Sequence, residues 1–109
     1  MGDFLRAMQV SDLAEGTIAA VDLRGKHILF SKIGGEVSAV GGICTHEDTD
    51  LALGFVIEDR VVCPLHLSQF ELKTGQVVNP PATVSLERFN VKIEGEAIFV
   101  EVQEVPPGC

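Results

Sequence analysis

Glycine-bearing turns cut this chain of 109 residues into short runs rich in Val, Ile and Phe. Runs of that length and composition are strands rather than helices, so the sequence predicts an all-β domain. The expected strands are FLRAMQV (4–10), TIAAVDL (17–23), HILFSKI (27–33), EVSAVG (36–41), GFVIE (54–58), RVVC (60–63), QFEL (69–72), ERFNVKI (87–93) and AIFVEV (97–102). Turns fall at RGK, IGGE, KTGQ and EGE, where glycine permits positive φ. SDLAEG (11–16) has room for one helical turn. No repeat or linker interrupts the pattern, so residues 1–109 read as a single domain, with a frayed tail at VPPGC.

A composition of 46% hydrophobic and 22% charged residues is that of a globular domain, not a disordered chain. The net charge of −8 argues against nucleic acid and anionic membrane as partners and favours a protein with a basic docking face. No apolar run reaches the length of a membrane span. The start, MGDFLRAMQV, lacks the basic-then-apolar order of a signal peptide, and Arg6 breaks the myristoylation pattern. A cytoplasmic protein is expected, with its cysteines as thiols or metal ligands rather than disulfides.

The three cysteines and three histidines are placed unevenly. Cys44 and His46 form a C-x-H pair, Cys63 and His66 a C-x-x-H pair, and sixteen residues separate the two. Both pairs fall on loops at expected strand ends. The remaining two residues invite ordinary readings: His27, inside an apolar strand, as a satisfied histidine, and Cys109 as an incidental terminal thiol. Replacing His27 is expected to leave the amount of bound metal unchanged. Two cysteines and two histidines are a common structural zinc set, but zinc motifs usually begin with two cysteines and end with two histidines. Mixed pairs suit a binuclear cluster better. Each loop then gives its cysteine to one metal ion and its histidine to the other, as in a [2Fe–2S] centre with Cys₂ and His₂ irons.

C-T-H at Cys44–His46 and C-P-L-H at Cys63–His66 resemble the Rieske signature. The acidic residues after CTH, the FELKTG stretch after CPLH and the NPPA segment (79–82) extend the resemblance over nearly the whole chain. It is most similar to the soluble ferredoxins of bacterial ring-hydroxylating dioxygenases. The resemblance implies stacked antiparallel sheets with a cluster-binding subdomain of two hairpin loops and a proline loop, about residues 42–50, 63–70 and 79–82. It implies Cys44 and Cys63 as thiolate ligands of an inner iron, and His46 and His66 as ligands of an outer iron at the tip. Phe70, Pro80 and Pro81 are expected to pack around the cluster, with Ser68 either bonding a sulfur or capping its turn. An apolar docking patch of Leu65, Leu67, Pro80 and Pro81 is expected, with Glu47, Asp48 and Asp50 steering partners.

Within the family, respiratory and photosynthetic Rieske subunits carry a membrane helix and one further cysteine in each loop; here Thr49 and Leu65 stand at those positions. Oxygenase subunits need a mononuclear iron site, for which only His27 would be left. No G-x-G-x-x-G fingerprint for a nucleotide cofactor is present. What remains is a monomeric one-electron carrier, not an enzyme, between an FAD- and NADH-dependent ferredoxin reductase and a terminal oxygenase. Carriers for a diiron monooxygenase or a nitrite reductase, and a zinc-stapled β-module, are the alternatives. Dioxygenase ferredoxins commonly have a polar residue and then glycine where this chain has Leu67 and Ser68. High-potential members have a tyrosine where Phe70 stands, so a potential near the low end of the family's span of roughly −150 to +300 mV is expected.

Overall fold

A computed structural model describes residues 2–45, 49–65, 67–79 and 84–103. These form three antiparallel sheets. The first holds β1 (Gly2–Gln9), β11 (Ala97–Gln103) and β10 (Val91–Glu94), in that order. The second has the order β2 (Ile18–Leu23), β3 (Lys26–Ile33), β4 (Glu36–Gly41), β9 (Arg88–Phe89). The third runs β5 (Phe55–Ile57), β6 (Arg60–Val62), β7 (Gln69–Glu71), β8 (Val77–Asn79).

The second sheet is the middle layer, and the side chains of β3 show why. Ile28, Leu29, Phe30 and Ser31 are all buried, although a strand with one wet face would alternate. Successive residues point to opposite faces. Ile28, Phe30 and Ala39 join Met8, Leu13, Phe89, Ile98, Val100 and Val102 in one core, against the first sheet. Leu29 and Val40 face the other way, into a second core with Leu51, Val61, Phe70, Leu72, Leu86 and both Cys44 and Cys63. Burying a side chain such as Leu29 or Phe70 contributes roughly 1.5–3 kcal/mol.

Three expectations changed in the structure. The run expected at 87–93 is two strands, because the chain turns a corner at Asn90. β9 pairs with β4 in the middle sheet, whereas β10 pairs with β11 in the first. Asn90 fixes the corner by accepting from the Glu101 N–H at 2.9 Å and donating its Nδ2 to Glu101 Oε1 at 2.9 Å. β8 was not expected; it forms because Val77 pairs with Phe70 and Asn79 with Gln69, across an irregularity in register. The expected helical turn is a 3₁₀ turn at Val10–Asp12, and a second one lies at Leu51–Leu53. In the second, the Asp50 side chain accepts from the Ala52 N–H at 2.9 Å, an N-cap in its usual role.

Residues 42–87 form one excursion from the middle sheet. The chain leaves at the end of β4 and returns at β9, the strand beside it. The Gly41 N–H donates to the Glu87 carbonyl at 2.7 Å where the two ends meet. Inside the excursion, Gly54 lets the backbone pass close to β6: a Cβ there would lie 2.1 Å from the Val62 carbonyl oxygen.

Candidate metal centre

Both cysteine loops are closed by the same backbone device. The Cys44 N–H donates to the Thr49 carbonyl at 2.7 Å, and the Cys63 N–H to the Ser68 carbonyl at 2.8 Å. In each loop the cysteine bonds to the residue five positions later, and the histidine of its pair lies in sequence between them. The first loop is rooted by an Ile43–Asp50 bridge and by the Leu51 N–H donating to the Gly42 carbonyl at 2.8 Å. The second loop joins β6 to β7 and is tightened by the Leu67 N–H donating to the Cys63 carbonyl at 3.1 Å. That turn places Leu67 at φ +62°, the left-handed region that glycine enters at least cost. A leucine here accepts local strain while its side chain stands exposed.

Cys44 and Cys63 are fully buried, share one apolar core and form no disulfide. Two thiols held by matching loops in a dry core are a suitable thiolate pair for one iron of a binuclear cluster, so the donor set fits. Phe70 is wholly buried in the same core. Ser68 is buried too. Leu65 and Leu67 are more than half exposed. His46, His66, Glu47, Asp48, Pro80, Pro81 and Cys109 lie outside the described residues. Among the described residues no group of three or more His, Cys, Asp and Glu side chains gathers at one point.

Two features escaped the reading of the sequence. The Thr45 hydroxyl donates to the Val84 carbonyl at 2.6 Å and so ties the first loop to the segment that follows residues 80–83. The other is Asp50, expected only as a steering charge. Its carboxylate caps the 3₁₀ turn and also takes a hydrogen bond from the His27 Nε2 at 2.9 Å, so it has a structural task.

Residues 3–100 match the family described as the Rieske [2Fe-2S] domain. The chain is 36% identical over 102 residues to the 3-phenylpropionate/cinnamic acid dioxygenase ferredoxin subunit of Escherichia coli K12, covering 93% of this chain and 95% of that one. It is 28% identical over 99 residues to the ferredoxin component of the naphthalene 1,2-dioxygenase system of Pseudomonas putida, covering 91% and 95%. Among solved structures it superposes with TM-score 0.85 and 29% identity on a chain of the complex of reduced oxygenase and oxidised ferredoxin in carbazole 1,9a-dioxygenase, covering 90% of this chain and 92% of that one.

Proposed function

Because this chain belongs to the Rieske [2Fe-2S] domain family, we propose that it is the ferredoxin of an aromatic-ring dioxygenase system, working in the cytoplasm. It takes single electrons from a flavin-dependent reductase and hands them to a terminal oxygenase. The observation that carries this reading is the pair of identically closed loops burying Cys44 and Cys63 in one core. They occur in a chain whose relative at 36% identity is named as a dioxygenase ferredoxin subunit. The carbazole dioxygenase complex supports an oxygenase as the electron acceptor.

Cys44 and Cys63 would hold one iron, and His46 and His66 the other. Bound there, a [2Fe–2S] centre supplies one-electron exchange, at a potential raised by neutral imidazole in place of anionic thiolate. The chain's own residues do the rest. Leu29, Val40, Phe70 and Leu72 keep water from the two thiols. Leu65 and Leu67 offer apolar surface beside His66 in sequence, on which a partner can close and exclude water. The reading is tested by electron paramagnetic resonance of the dithionite-reduced protein, where a Rieske-type rhombic signal is expected. A colourless zinc protein would overturn it. Reconstitution with a flavin-dependent reductase and a terminal oxygenase of such a system should then support turnover.

Two further results are expected. Ser68→Ala should lower the potential by roughly 40–60 mV, the worth of one hydrogen bond to sulfur in a one-electron couple. Potentiometric titration checks this, and an unmoved potential would assign the hydroxyl to the turn alone. Electron transfer to the oxygenase should slow as ionic strength rises, because a chain of net charge −8 docks by a screened attraction. Stopped-flow rates that ignore salt would remove charge from the docking step.

A further inference from the structure

The His27 imidazole joins two parts of the molecule. It sits on β3 opposite Asp22 of β2 in the hairpin register. Its Nδ1 lies 2.5 Å from Asp22 Oδ1 and its Nε2 2.9 Å from Asp50 Oδ1. Asp22 belongs to the middle sheet, whereas Asp50 closes the Cys44 loop through its bridge to Ile43 and caps the 3₁₀ turn beyond. The backbone repeats the link: the Gly42 N–H donates to the His27 carbonyl at 2.8 Å. A Cβ on Gly42 would fall 2.8 Å from His27 Cδ2, so the root of the loop lies directly against the ring.

A carboxylate only accepts, and a neutral imidazole has one N–H. Both contacts are therefore made in full only by the imidazolium, which donates from both nitrogens. We propose that His27 is a positioning residue: protonated, it straps the Cys44 loop to the middle sheet through Asp22 and Asp50, and it loosens that loop when it loses its proton. The proposal rests on the assignment of Cys44 and His46 as cluster ligands.

The charges around the ring agree. The hydrogen bond to Asp22, then that to Asp50, hold the histidine above its ordinary pKa, against a partial burial that opposes charge. The nearby Lys26 is engaged with Glu87 at 3.1 Å, and the 3₁₀ turn packed beyond Asp50 is Leu-Ala-Leu. Partial burial pushes the Asp50 carboxyl up, but hydrogen bonds from His27 and from the Ala52 N–H outweigh it and hold Asp50 below its ordinary value. The signs follow from linkage. The histidine's share is complete below its unfolded pKa of about 6.5 and is lost as pH rises through the raised folded value. The share of Asp50 is lost only as pH falls through its lowered value.

The test follows the bleaching of the oxidised holoprotein's visible absorbance from neutral to alkaline pH. Wild type should bleach slowly at neutral pH and accelerate through a midpoint above the ordinary histidine value. His27→Gln should assemble the same amount of cluster but bleach about tenfold faster at neutral pH, with no such midpoint, because a charge-assisted bond is lost. Asp22→Asn removes an exposed carboxylate that is the largest support of the imidazolium, so it should fold normally and move the midpoint to lower pH. A His27→Gln protein indistinguishable from wild type, or an Asp22→Asn midpoint that does not move, overturns the strap. If His27→Gln fails to fold, the Asp22→Asn midpoint decides alone. Wild-type protein without a Rieske resonance overturns the ligand assignment and the strap together, whereas a normal resonance with an unmoved midpoint overturns the strap only.

Discussion

A His66→Ala variant is expected to keep its β content and to show no Rieske-type resonance after dithionite reduction. The loop is closed by backbone bonds, from the Cys63 N–H to Ser68 and from the Leu67 N–H back to Cys63, and neither needs an imidazole. The fold should therefore survive. The metal site should not, because its sequence neighbours Leu65, Leu67 and Ser68 offer no nitrogen donor of comparable strength. His46→Ala should behave the same way. Iron and sulfide assays beside the resonance check the result, and an unchanged native signal in either variant would move the ligand elsewhere.

Phe70→Ala is expected to be among the most destabilising single core replacements. The ring is fully buried in one core with Leu29 and Val40 of the middle sheet and with Val61, the residue opposite it on β6. It also lies in the core that holds both cysteines. Truncating such a phenylalanine costs about 3–5 kcal/mol, a large part of the 5–15 kcal/mol typical of a small domain. A loss of more than about 10 °C in Tm should follow. Faster loss of iron should accompany it, since the cavity opens in the core that holds the thiols. A Tm within a few degrees of wild type would mean that the pocket closes over the missing ring.

Much of this was legible in the sequence, for identifiable reasons. β4 matched its expected bounds because glycine turns and a polar residue mark both ends. The buried stretch in β3 was visible in part as the apolar run Ile28–Phe30, though only the fold explains why two faces need covering. β8 was missed because Val77 and Val78 make too short a run before two prolines; its pairing is supplied by β7. The corner at Asn90 was hidden because apolar residues continue through it, and only a change of partner strand separates β9 from β10. The Cys-His spacings pointed to a candidate ligand set, but the shared five-residue closure is a backbone property that spacing does not encode. His27 is a mixed case. Once the RG turn sets the hairpin register, Asp22 is opposite it and could have been read. Asp50 could not, since nothing local brings it to that ring.

The excursion of residues 42–87 from two neighbouring strands has a consequence for how such proteins diversify. Its ends are pinned side by side by the middle sheet, so a change in its length adds little closure entropy and leaves the anchoring strands where they were. Cys44, Cys63 and the backbone bonds that close their loops lie within that one stretch, whereas every strand of the first and middle sheets lies outside it. Selection can therefore rewrite the electron-carrying cassette as a unit, by substitution or by exchange between genes, and inherit the chassis unchanged.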